Sequence, residues 1–231
     1  MNRFWTAAVA RRRALVLLFL TVLVPLVAIG ELAEDVWDGA GLFFDRPILE
    51  ALHARATPTL DATMLFFSHA GAPKPMVAFF IVILIGLLIA QRRGDALFFA
   101  IAVAGAMAIN FGAKLLFGRA RPDLWVSLAP ESDYSFPSGH AMGSMAMIAA
   151  LVVLTWGTRW RWPVLILGGL FVTLVGLSRL YLGVHYPSDV LTGWLASLAW
   201  VGGSALIRSS TFLRTIIQLR RATATKQQHP A

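Results

Sequence analysis

Apolar residues dominate long stretches of this chain, and polar residues gather at regular intervals between them. Six stretches are apolar enough to read as membrane-spanning helices: 14–30, 73–90, 96–117, 139–156, 163–180 and 188–207. Crossing a bilayer core of about 30 Å takes about 20 helical residues, and these runs are near that length. Between the first and second run the pattern changes. Residues 31–72 alternate short apolar groups (Leu42, Phe43, Phe44; Ile48, Leu49, Leu52; Met64 to Phe67) with polar ones, which predicts amphipathic helices lying in the membrane interface rather than crossing it. The first run follows Arg11, Arg12 and Arg13, and a signal peptide with Ala28 and Gly30 before a cleavage point is the alternative. Its apolar run is long for a signal sequence, so a retained helix is expected. The expected fold is therefore all-α: one polytopic membrane domain over residues 1–222, with a disordered polar tail at 223–231.

Composition agrees with that pattern. Of 231 residues, 58% are hydrophobic and only 14% charged, with a mean hydropathy of +0.70. With no cysteine, disulfides and thiolate chemistry are excluded. A net charge of +8 raises the question of nucleic acid, but the arginines flank apolar runs. Arg92 and Arg93 join spans 2 and 3, Arg159 and Arg161 join spans 4 and 5, and Arg208, Arg214, Arg220, Arg221 and Lys226 follow span 6. This is the charge bias of membrane topology, so we expect a cytoplasmic N-terminus and C-terminus and no nucleic-acid partner. Trp37, Trp125, Trp160 and Trp162 stand near expected span ends, where indole rings prefer to sit.

Charges that break the rule carry the chemistry. Lys114, Arg119, Arg121, His140, Arg179, His185 and Asp189 all border spans on the opposite, outer side. Ionisable groups at such places are expensive and are held there by function. Two arginines and a lysine suit an oxyanion with several oxygens. Ser138 and Gly139 open span 4, where a helix N-terminus favours an anion and glycine permits close approach. Of two histidines, one can attack phosphorus while the other protonates the leaving oxygen. Asp189 follows His185 by four residues, a spacing that meets on one helix face and can fix the imidazole tautomer. Arg119 reads as a loop charge or headgroup contact, and Asn110 as an interhelical hydrogen bond. His53, His69 and Glu50 read as surface groups, Met142, Met145 and Met147 as packing, and Tyr181 and Tyr186 as interface markers.

"KLLFGRARP" (114–122), "PSGH" (137–140) and "SRLYLGVHYPSD" (178–189) resemble the three motifs of the type 2 phosphatidic acid phosphatase (PAP2) family, whose active site is related to that of vanadium haloperoxidases. K-x6-RP, PSGH and SR-x5-H-x3-D match at every motif position. The resemblance covers residues 110–190 directly, and the six-span plan by analogy. It implies phosphate binding by Lys114, Arg121, Ser138, Gly139 and Arg179, a His185 nucleophile oriented by Asp189, and His140 as general acid and base. It implies a metal-independent lipid phosphatase with no cofactor, acting through a phosphohistidine on a lipid phosphate in the membrane, with no obligatory protein partner. If the source is bacterial, the site would face the periplasm. The short loops offer no bulky sugar-binding region, which favours a simple isoprenyl or diacyl chain; undecaprenyl pyrophosphate is the favoured substrate, and phosphatidylglycerophosphate, phosphatidate and lipid A phosphates are the alternatives. Three rivals use the same residues less fully. A Ser138–His185 intramembrane protease leaves four charged groups idle. A metal site on His140, His185 and Asp189 would lie among cations. An anion transporter would bind without turnover.

Overall fold

The computed structural model describes residues 15–39 and 41–209; the N-terminal arginines, Arg214, Arg220, Arg221, Lys226 and the tail from Thr223 lie outside the described residues. Eight helices and no strand are found among the described residues. They are α1 (Leu15–Trp37, with a π-helical stretch at Phe19–Leu23), α2 (Asp45–His53), α3 (Pro58–Ala70), α4 (Pro73–Ile89), α5 (Arg93–Phe117), α6 (Gly139–Thr155), α7 (Arg161–Tyr181) and α8 (Pro187–Ser209).

Each of the six expected spans is a helix, but the count of six is not established. Four helices (α1, α5, α7, α8) are long and apolar enough to cross a membrane alone, and a fifth crossing exists if α3 and α4, bent by 49°, form one broken span. Helix α6 has 17 residues. That is about 26 Å of helix, short of the roughly 30 Å hydrocarbon core. It is also the hub of the bundle, packing against α5, α7 and α8. Small residues make that possible. Ala102, Ala106, Ala146 and Ala150 are fully buried beside Phe99, Met142 and Met147, so the helix backbones approach closely.

The outer surface is apolar. On α5, Leu97, Phe111 and Leu115 are 63%, 66% and 61% exposed, whereas Phe99 and Ala102 on the opposite face are at 0%. Water would not tolerate such a belt; lipid does.

Helices α5 to α8 run antiparallel in turn, which sorts their ends into two groups. Arg92, Arg93, Arg159, Arg161 and Arg208 mark one end, where Arg92 and Arg208 both pair with Asp95. The other end gathers the C-termini of α5 and α7, the N-termini of α6 and α8, and the connections 118–138 and 182–186.

Of residues 31–72, those as far as Trp37 continue α1, and α2 and α3 follow. Helix α2 is amphipathic, but its inner face (Asp45 and Leu49) is buried against α7 and α8 rather than against a lipid surface. Helix α3 packs along α7 and buries Ser68. Helix α2 covers the site end of the bundle through Asp45, which bonds Arg119 and Ser188.

Candidate active site

Local sequence fixes the frame of this site. Helix α5 stops at Gly118, whose left-handed φ of +56° ends the helix and turns the chain so that Arg119 and Arg121 head inward. The chain returns to α6 through Ser138, whose N–H donates to the Asp189 carbonyl at 3.0 Å. This ties the start of α6 to the first turn of α8. A Cβ at Gly193 would lie 2.9 Å from the Ser138 carbonyl, so the α6–α8 approach at this level needs glycine there. Asn110 donates to the Pro137 carbonyl at 3.0 Å. Its hydrogen bond thus holds the loop before Ser138 instead of joining two helices.

All eight expected site residues converge at this end. His185 is buried, with its Nδ1 3.3 Å from Asp189 Oδ2 and its Nε2 3.0 Å from an Arg121 nitrogen. A guanidinium can only donate, so Nε2 must present its lone pair and Nδ1 must carry the proton toward Asp189. That tautomer turns the Nε2 lone pair toward Arg121 and the site, where it accepts from the guanidinium until that bond opens. Burial first, and Arg121 and Arg179 next, push the His185 pKa well below its ordinary value, so the ring is neutral.

The cations cluster around acidic partners that sequence reasoning missed. Lys114 pairs with Asp133 at 2.6 Å and bonds the Tyr134 carbonyl. Arg121 contacts Asp133, pairs with Glu131 at 2.7 Å, and donates to the Val184 carbonyl at 2.7 Å. Although partial burial pushes Asp133 upward, the bonds from Lys114 and Arg121 prevail and hold it at about 2. Arg179 is 1% exposed and donates to both Glu131 and Ser68. The Glu131 carboxylate therefore lies in the grip of two arginines. One of its oxygens is 3.8 Å from His140 Nδ1, and the other is 3.9 Å from His185 Nε2. A carboxylate is an oxyanion, and it stands between the two imidazoles. Ser138 Oγ and Arg179 Nε are buried without a hydrogen-bond partner among the described residues. Such orphaned donors are rare and call for an acceptor.

Arg119 also departs from its reading as a loop or headgroup charge. Its side chain is 11% exposed, pairs with Asp189 at 2.6 Å and Asp45 at 2.8 Å, and lies 4.1 Å from the centre of the Tyr186 ring. Burial alone would lower its pKa, but Asp189 and Asp45 outweigh burial and raise it. Tyr181 is likewise no mere interface marker: it is buried and donates to Asp61 at 2.5 Å. Trp125 stacks on His53 with ring centres 4.0 Å apart and covers Gly183, where a Cβ would lie 2.6 Å from the indole. Gly183 also has a φ of +68°, so the turn that delivers His185 needs glycine twice over. Met142 and Met147 do pack in the core.

One signal for the missed acids existed. Several buried cations on one face require counter-charge, and "PESDY" (130–134) is the acidic stretch between the first two motifs. Nothing in the sequence points to Ser68 or Asp45.

Beside the polar cluster, a cavity of about 790 Å³ runs between α4, α5 and α6. Met76, Phe80, Val103, Met107 and Phe111 line it, and Lys114, His140 and His185 lie at its polar part. The site thus adjoins an apolar space of lipid-chain character.

Comparison with known proteins follows the same residues. The PAP2 superfamily pattern matches residues 95–212. Phosphatidylglycerophosphatase B of Bacillus subtilis is 31% identical over 172 residues, covering 72% of this chain and 84% of that protein. An undecaprenyl-diphosphatase of Sulfolobus acidocaldarius is 29% identical over 187 residues, covering 78% and 85%. The crystal structure of a transmembrane PAP2-type phosphatidylglycerolphosphate phosphatase from Bacillus subtilis superposes with a TM-score of 0.72 at 26% identity, covering 82% of this chain and 98% of that one.

Proposed function

This chain belongs to the PAP2 superfamily, and from that premise we propose that it is a membrane phosphatase that converts undecaprenyl pyrophosphate to undecaprenyl phosphate. The observation that carries the reading is Glu131: its carboxylate is held by Arg121 and Arg179 with an imidazole nitrogen near each oxygen. A cluster that grips one oxyanion between two histidines is suited to a phosphoryl group in the same place.

In the proposed mechanism Lys114, Arg121 and Arg179 hold the phosphoryl oxygens, with Ser138 Oγ and the first N–H groups of α6 completing the cradle. The Ser138 N–H itself is spoken for by Asp189, so Gly139 is the nearer backbone donor. His185 Nε2 attacks phosphorus and the P–O bond to the leaving group breaks. His140 gives that oxygen its proton. Asp189 stabilises the positive charge that develops on the His185 ring. Water then attacks the phosphohistidine, His140 takes the water's proton, and phosphate leaves as the P–N bond breaks. No step uses a metal. The terminal phosphate of a pyrophosphate and that of a monoester fit the cradle alike.

Substrate choice rests on the chain side of the site. The apolar cavity beside the histidines accepts a lipid tail, and the undecaprenyl-diphosphatase of Sulfolobus supports a prenyl one. The Bacillus phosphatidylglycerophosphatase matches favour phosphatidylglycerophosphate as the second reading. The site lies away from the arginine-rich ends, which by the charge rule supports a non-cytoplasmic orientation.

The test is phosphate release by purified protein in detergent with excess chelator, comparing undecaprenyl pyrophosphate, phosphatidylglycerophosphate and phosphatidate. We expect turnover without added metal, inhibition by vanadate, and the highest kcat/KM on the prenyl pyrophosphate. A higher kcat/KM on phosphatidylglycerophosphate would establish the second reading. Activity lost on chelation and restored by a divalent ion would overturn the metal-free mechanism.

A further inference from the structure

Behind the candidate nucleophile lies a second layer of buried charge that the three sequence motifs do not include. The Arg119 guanidinium forks between two carboxylates. One terminal nitrogen donates to Asp189 Oδ1 at 2.6 Å and Ser188 Oγ at 2.8 Å, and the other donates to Asp45 Oδ2 at 2.8 Å. Asp45 in turn accepts from the Ser188 backbone N–H at 2.9 Å and from the Ser188 hydroxyl at 2.7 Å. Asp45, Ser188 and Asp189 are 3%, 0% and 0% exposed, so solvent screens little of this charge.

The chemistry of each link is definite. Asp189 Oδ2 takes His185 Nδ1 and the Tyr186 N–H, Oδ1 takes Arg119, and the Ser135 side chain also bonds the carboxylate. Arg119 therefore sets both the rotation of the carboxylate and how much negative charge it offers the imidazole. Asp45 divides the pull of Arg119 between two anions. It also caps the first turn of α8 from a helix 143 residues away in sequence, fixing the backbone on which Asp189 stands. The face of the Arg119 fork lies over Tyr186, which restrains its plane.

We propose that Arg119 and Asp45 are positioning residues for the reaction, acting through Asp189 to hold His185 in the Nδ1–H tautomer with Nε2 aimed at phosphorus. Neither contacts the cradle formed by Lys114, Arg121 and Arg179. The inference rests on the reading of His185 as nucleophile, and it extends the machinery from the motif residues to helix α2.

A double-mutant cycle tests it, on detergent-purified full chain with farnesyl pyrophosphate as the probe. Arg119→Ala is expected to lower kcat about 10–100-fold, by analogy with the loss of an orienting partner behind a metal-bound histidine. KM and the inhibition constant of vanadate should stay within about twofold. Arg119→Lys and Asp45→Asn should lower kcat less, because each keeps part of the network. In an Asp189→Asn background, Arg119→Ala should add almost nothing, since its route to His185 is already cut. The ¹⁵N spectrum of His185 should show a mixture of tautomers in Arg119→Ala and the single Nδ1–H form in the parent. Should Arg119→Ala not fold, the Arg119→Lys and Asp45→Asn kinetics and spectra decide the matter. Full kcat in these variants, a full additional loss on top of Asp189→Asn, or a loss confined to KM would overturn the proposal. His185→Ala is the control: if it keeps activity, the nucleophile reading itself fails, whereas an inactive His185→Ala beside a fully active Arg119→Ala defeats only this inference.

Discussion

The Glu131 carboxylate pairs with Arg121 at 2.7 Å, and this bond must open before Arg121 can reach a phosphoryl oxygen. Glu131 also binds Arg179, so in the proposed mechanism the loop carrying it would compete with substrate for two of the three cations. Hydrogen bonds to charged groups contribute about 1.5–3 kcal/mol each, and about 1.4 kcal/mol is a factor of ten in affinity. Glu131→Gln removes the competing charge and is expected to lower KM, and the vanadate inhibition constant, about tenfold. Steady-state kinetics on a lipid monoester check this. A rise in both constants would show that Glu131 assists binding.

His185 is pushed well below the ordinary imidazole value of about 6.5 by burial, then by Arg121 and Arg179. As pH falls through about 6.5 the unfolded chain takes up this proton and the folded chain does not. Neutral His185 thus contributes stability above that pH and loses it as pH falls toward the depressed folded value. In ¹⁵N-histidine spectra, the resonances missing from His185→Ala should hold one tautomer from about pH 8 down to about pH 5.5, through the ordinary midpoint. A titration centred near the ordinary value would contradict the burial argument.

Much of this site was legible in the sequence because its residues sit at fixed offsets within three short motifs. Lys114 and Arg121 flank one helix end, and His185 and Asp189 straddle the start of another, so spacing alone places their side chains together. What the sequence hid depends on contacts between distant elements. Asp45 reaches Ser188 across 143 positions, and Arg179 reaches Ser68 across 111. Residues 31–72 read as interfacial because amphipathicity marks a two-sided environment without naming what covers the apolar side; for α2 it is protein. The expectation of six spans met a limit of another kind. Hydropathy finds apolar helices, but the enclosed α6 has too few residues to show by length that it crosses the core.

Leaving groups should separate the two histidines. In the proposed mechanism His185→Ala removes the attacking atom, so every substrate should fail alike. His140→Ala removes only the proton for the departing oxygen. General acid catalysis contributes about 10²–10⁴-fold, and an alkoxide needs it more than a phosphate-type leaving group. The phosphoryl-transfer burst of His140→Ala should fall by most of that factor on a lipid monoester, and distinctly less on a pyrophosphate. Equal losses on both would defeat the role of His140.

Orientation has its own check, helped by a chain without cysteine. Asp123 and Ser132 are exposed at the site end, Gly94 and Thr158 at the arginine-rich end. Cysteine substitutions at the first two should label in intact cells with a membrane-impermeant thiol reagent, and those at the last two should not. Reversed labelling would place the site in the cytoplasm.

In the proposed mechanism phosphorus is covalently bound to His185 between the two steps. Protein mixed with a labelled lipid pyrophosphate and quenched in strong base keeps an N–P bond intact, and mass spectrometry of the peptide containing His185 then locates it. A phosphoryl group on His185 that forms within the first turnover, and is absent from His185→Ala, is the expected result. Phosphorus on Ser138, or an active His185→Ala enzyme, would contradict that mechanism.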